Sequence, residues 1–143
     1  MKSFRTIDLR NIYPRSPQET LGGYVHLPRM IDKARAKLAG TLGEYIWNCP
    51  LDQHLLQFLK LDADDLFAII KKSACDADVL TQIRSRTCHA PAQIKKWSDG
   101  MRRRAPQSAK DKEWFAKRNA ELGRPKGELL TYFDLLDADE KRK

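Results

Sequence analysis

Six times between residues 28 and 108 a residue suited to open an α-helix precedes apolar residues spaced three and four apart: Pro28, Pro50, Asp62, Asp76, Pro91 and Ser108. No run alternates apolar with polar residues between hairpin turns, as half-buried strands require. Such a chain buries its apolar stripes by packing short helices on one another, so the expected fold is all-α, a compact bundle of about seven short helices. Leu27, Ile31, Ala34 and Leu38 form one stripe, ended by Gly40, which can take the left-handed backbone of a helix stop. Leu51, Leu55, Phe58 and Leu59 follow Pro50, and Leu66, Ile69 and Ile70 follow Asp62. Val79, Leu80 and Ile83 follow Asp76, Ile94, Trp97 and Met101 follow Pro91, and a helix opened at Ser108 is closed by Gly123. Leu129, Leu130, Phe133 and Leu136 supply a last segment. Trp97, Trp114 and Phe115 are expected in the core, while Trp47 either closes the core or walls a pocket.

The start of the chain reads differently. Residues 1–15 show no helical period and contain Pro14, so they are expected as an extended N-terminal arm, with residues 16–143 forming a single helical domain. Ser16-Pro17-Gln18-Glu19 has the pattern of a capping box, which predicts a short helix interrupted by Gly22-Gly23.

Of the 143 residues, 41% are hydrophobic, which is enough for one core. The longest apolar run, Leu66 to Ile70, falls far short of the roughly 20 residues of a membrane span. The first eleven residues lack the apolar stretch of a secretory signal, and Cys49, Cys75 and Cys88 form an odd set without C-x-x-C spacing. Free thiols in a reducing cytoplasm are the expectation.

The net charge of +8 is unevenly placed, because residues 81–127 hold 13 Lys/Arg against 4 Asp/Glu. Lys95, Lys96, Arg102, Arg103, Arg104, Lys117 and Arg118 could face nucleic acid or an acidic protein through residues 95–126. Residues 76–104 run helix, turn, helix, but the turn Thr87-Cys88-His89-Ala90 lacks glycine, so nonspecific contact with phosphates is a better expectation than base readout.

A second candidate site lies in residues 29–52. With Pro50 as the first helical residue, Cys49 takes the N-cap, where free backbone N–H groups and the positive end of the helix dipole favour a thiolate. Arg29, Asp32, Lys33 and Arg35 lie within two turns of the preceding helix, with Asp32 and Arg35 as neighbours and Arg29, Lys33 and Lys37 on an outer face. Glu44, Tyr45 and Asn48 occupy the loop to Cys49, and Asp52 sits at the third helical position. That inventory suits a small anionic ligand: arginine, lysine and a helix N-terminus for the anion, Glu44 or Tyr45 for proton transfer, Cys49 as nucleophile or contact. The bland alternative is an ion-pair network that pins the loop to the helix. No metal site is expected from the spacing of Cys49, His54, Cys88, His89 and His26, no phosphate or dinucleotide loop is present, and no cofactor is implied.

The segments Leu21-Gly22-Gly23-Tyr24, Leu27-Pro28-Arg29-Met30-Ile31-Asp32-Lys33-Ala34-Arg35, Asn48-Cys49-Pro50-Leu51-Asp52 and Phe133-Asp134-Leu135-Leu136-Asp137-Ala138-Asp139-Glu140 together resemble a family of uncharacterised bacterial proteins, the domain-of-unknown-function family numbered 5069. The resemblance spans nearly the whole chain and implies no activity.

Overall fold

The computed structural model describes residues 7–141. Its elements are a two-stranded hairpin, β1 (Thr20–Leu21) and β2 (Tyr24–Val25), followed by α1 (Leu27–Ala39), α2 (Pro50–Leu59), α3 (Ala63–Lys72), α4 (Asp76–Arg86), α5 (Pro91–Arg102), α6 (Ala109–Glu121) and α7 (Tyr132–Asp139). Seven short helices therefore build the described chain, and none is long and apolar enough to cross a membrane.

Five of the seven helix starts have a plain local cause. The side chains of Asp62, Ser108 and Thr131 accept hydrogen bonds from the third helical amides Asp65, Asp111 and Asp134, and prolines open α2 and α5. Gly40 ends α1 at φ +73° and its N–H reaches the Lys37 carbonyl.

The helix expected from Ser16 does not form. Its capping contacts exist, with Gln18 N–H donating to Ser16 Oγ at 3.1 Å and Ser16 N–H to Glu19 Oε2 at 3.3 Å, but they close one turn only. Gly22 and Gly23 then both take positive φ, +59° and +88°, and turn the chain into an antiparallel hairpin that pairs Thr20 with Val25 and Leu21 with Tyr24. Ser98 on α5 pins it, donating from Oγ to the Gly23 carbonyl at 2.7 Å and accepting from Val25 N–H at 3.2 Å.

The core centres on α1 and α3, where Leu27, Met30, Ile31 and Ala34 meet Leu66, Ile69 and Ile70. Trp47 packs on Phe67 at 5.9 Å and closes this core. His89, in the α4–α5 turn, stacks on Phe58 at 4.0 Å, and Phe58 stacks on Trp97 at 4.8 Å, so that turn is tied to α2. A smaller cluster of Phe115, Leu129, Leu135 and Ala138 joins α6 to α7. Trp114 departs from expectation: it is 51% exposed, because Phe115 and Asn119 take the buried side of α6.

Part of the predicted arm, residues 1–6, lies outside the described residues. Ile7 and Leu9 are buried against Ala36, and Leu9 N–H bonds the Thr41 carbonyl at 2.9 Å.

Candidate functional site

The outward face predicted for α1 is reversed. Every residue from Leu27 to Ala36 is buried, Arg29, Asp32, Lys33 and Arg35 included, and of the three cations assigned outward Lys37 alone is exposed. Four charges on a helix buried all round are tolerable where each meets an opposite charge, and those come from distant segments.

Arg29 forks onto Glu140 at the end of α7, Nη1 to Oε1 at 2.9 Å and Nη2 to Oε2 at 2.7 Å. Tyr45 donates its hydroxyl to the same Oε2 at 2.7 Å, and its ring lies 5.6 Å from the guanidinium carbon. Burial, reinforced by the Glu140 carboxylate, pushes the Tyr45 phenol well above its usual range, so it stays a donor. Asp32 and Arg35 do not pair with each other: Arg15 holds Asp32 at 3.0 Å, and Asp76 at the start of α4 takes both Arg15 at 2.6 Å and Arg35 at 3.1 Å.

Lys33 and Asp52 form the other centre. The Asp52 carboxylate, fully buried, accepts from Lys33 Nζ at 2.7 Å and from the N–H groups of Asn48 and Cys49 at 3.0 and 3.1 Å. Its second oxygen lies 2.6 Å from Nε2 of His26. Burial alone would raise this carboxyl, but the His26 hydrogen bond and the Lys33 charge outweigh it and hold it well below the usual carboxylate range. Burial lowers His26 despite the carboxylate beside it, so the imidazole is neutral at neutral pH. A neutral imidazole facing a carboxylate carries its proton on Nε2, which leaves a lone pair on Nδ1. That Nδ1 is buried and has no hydrogen-bond partner among the described residues.

Cys49 completes the group. It is the N-cap of α2 with Pro50 first in the helix, as the sequence predicts, and is half-buried. Lys33 Nζ donates to its sulfur at 3.5 Å, so one ammonium bridges the thiol and Asp52. Asn48, at φ +70°, makes the bend that brings Cys49 to the helix.

These groups share a cleft of about 890 Å³. Of the residues singled out in the sequence, Arg29, Lys33, Glu44, Tyr45 and Cys49 line it. Asp52 lies beneath and orients Lys33 and His26, whereas Asp32 and Arg35 face the Arg15–Asp76 network. Among the polar members of the wall that sequence reasoning missed, besides Arg10, Asn11 and Asp139, are His26 and Glu140. Each is contributed from outside residues 29–52, and neither sits in a spacing that signals a site.

The chain belongs to the family described as Domain of unknown function (DUF5069). The match covers residues 11–142, which includes all of the cleft lining but Leu9 and Arg10. No match was found among curated proteins. For this DUF5069 member, any account of function therefore rests on what the cleft can do chemically.

On the basic stretch, Lys95 and Arg102 are both drawn to Asp99, at 2.6 and 2.9 Å, and Arg118 is held by Glu121 and Asp139. Lys96, Arg103, Arg104 and Lys117 are exposed and carry no ion pair among the described residues.

Proposed function

We propose that the cleft binds a small anionic molecule, with Cys49 as its contact or nucleophile. The observation that carries this reading is convergence: Arg29, Lys33, Tyr45 and Cys49 come from α1, a loop and the N-terminus of α2, and all open onto one cavity. Arg29 and Lys33 are each matched by a buried carboxylate. The anion is thus held by directed donors and the α2 terminus rather than by excess charge, and its binding depends little on salt. Glu44 or Tyr45 serves proton transfer in this reading, and a reducing cytoplasm keeps the thiol free.

Iodoacetate and iodoacetamide test it, since they alkylate alike and differ in charge. Cys75 and Cys88, both exposed, are internal controls. The rate ratio of anionic to neutral reagent is expected to be several-fold higher at Cys49 than at either control, with saturation in iodoacetate. Equal ratios at all three cysteines sink the anion, and no reaction at Cys49 with either reagent removes the thiol from the site.

One observation favours a second reading, in which the basic surface binds single-stranded nucleic acid. Exposed Trp114 has Lys110 and Lys117 as its neighbours on the helix surface, four before and three after, a stacking plate beside cations. Oligonucleotide binding that quenches Trp114 fluorescence, with a steep loss of affinity on adding salt, is the expected sign. Binding left unchanged by Trp114→Ala and by charge reversal at Arg103 and Arg104 would dismiss this reading.

A further inference from the structure

The mouth of the same cleft adds exposed apolar groups to its polar ones. Among the described residues the large hydrophobic side chains left exposed are Ile12, Tyr13, Ile46, Trp114 and Leu130, and three of these five line the cleft. Ile12 is 48% exposed, Tyr13 46% and Ile46 66%, so each offers apolar surface to solvent. Ile12 and Tyr13 come from the segment before the hairpin and Ile46 from the loop that leads to Cys49. Two segments far apart in sequence thus put apolar groups on one rim. Single exposed apolar residues are ordinary, but three of them set among Arg10, Asn11, Glu44 and Asp139 at the mouth of one cleft follow a pattern of ligand sites, where apolar surface carries affinity and polar groups fix orientation.

We infer that the ligand of this cleft is an amphipathic monoanion, a small carboxylate with an aliphatic or aromatic tail. The inference rests on the anion reading above and deepens it. The head group lies at the floor, toward Lys33, Cys49 and the start of α2, and the tail leaves along Leu51 and Leu136 to Ile12, Tyr13 and Ile46. A carboxylate is the head group because Lys33 Nζ already meets one at 2.7 Å in Asp52 and, of its three N–H donors, Asp52 and Cys49 take two. A short inorganic anion would leave the rim unused.

The homologous series acetate, butyrate, hexanoate and octanoate reads this directly, as protection of Cys49 from iodoacetamide in the full chain. Each methylene that reaches apolar surface is expected to tighten protection by up to about fourfold, the factor that corresponds to roughly 0.8 kcal/mol. Hexanamide, with the tail and no charge, is expected to protect far less than hexanoate. Ile12→Ser and Ile46→Ser alter exposed side chains, so they leave the fold intact. They are expected to flatten the series while leaving protection by acetate unchanged. Cys75 and Cys88 are expected to react at constant rates throughout.

A flat series in the native chain overturns the inference, as does a steep series that both serine variants preserve. A flat series with a doubled mass in sedimentation that Ile46→Ser abolishes gives the rim to a second copy of the chain and also overturns it. The two levels fail separately. If iodoacetate keeps its preference for Cys49 and the series is flat, the tail alone is lost. If that preference is absent as well, the anion reading goes with it.

Discussion

Replacing Asp52 with asparagine keeps the shape of the side chain and removes its charge. In the native chain that charge answers the ammonium of Lys33, whose side chain is 4% exposed. Without it a buried cation has no counter-charge, a situation that costs about 3 to 5 kcal/mol when one partner of a buried pair is removed. The carboxylate also takes four hydrogen bonds, from His26, Lys33, Asn48 and Cys49, and an amide offers one oxygen where two stood. Asp52→Asn is therefore expected to lower stability by about 4 kcal/mol, or the melting temperature of a domain of this size by roughly 10 °C. The companion variant decides whether charge is the cause. Lys33→Met removes the cation that Asp52→Asn strands, so the double variant is expected to be about 2 kcal/mol more stable than Asp52→Asn alone. Urea unfolding of the four proteins measures both numbers. A double variant at or below the stability of Asp52→Asn refutes the argument, because it would mean that packing around Lys33 and not its charge sets the cost.

The same geometry sets other expectations. His26 is lowered in the folded state, so below about pH 6.5 the unfolded chain binds the proton first: the stability that His26 contributes is complete above that pH and declines as pH falls toward its folded value. His26→Gln keeps a donor near the Nε2 position for Asp52 and cannot titrate, so urea midpoints measured between about pH 7.5 and 5.5 should fall further for the native chain than for the variant, in which His54, also lowered by burial, still titrates. Glu140→Gln removes one charge of a pair whose side chains are 4% and 2% exposed, and is expected to cost about 3 kcal/mol and to speed amide exchange in α7, which that pair fastens to α1; unchanged exchange there would count against the fastening. Gly22→Ala should destabilise more than Gly40→Ala in the same thermal assay. Both glycines have positive φ, but a methyl at Gly22 meets Leu80 at 2.6 Å while the space at Gly40 is open.

Helices α2, α3, α5 and α6 are legible in the sequence because helix starts are a local matter: Asp62, Ser108 and the prolines act within one turn of themselves. The first turn at Ser16 misleads for the same reason. Its local bonds are real, but the path of the chain beyond that turn is decided by two glycines with positive φ and by Ser98, more than seventy residues away. The polarity of α1 is illegible in principle. Arg29, Lys33 and Lys37 at four-residue spacing look like a solvated stripe until Glu140 and Asp52 are known to stand opposite the first two. Cys49 could be found because proline marks its helix start; His26 could not, since a lone histidine before a proline-opened helix carries no signal of the carboxylate that will meet its Nε2.

A buried ion pair is weak evidence of a need for stability, because apolar residues of similar volume often do as well or better. α1 nevertheless buries four charged side chains, and the two that line the cleft are held by different elements, Arg29 by the end of α7 and Lys33 by the start of α2. Fixing a cation's position is what such pairing does well, since each nitrogen is aimed by a carboxylate that is itself held. The double variant Lys33→Met, Asp52→Asn separates the two roles. If the pair serves only stability, the variant loses stability and keeps the iodoacetate preference at Cys49. If the pair serves the cleft, the preference falls to the ratio seen at Cys75 and Cys88, even where the variant is folded at the temperature of the assay.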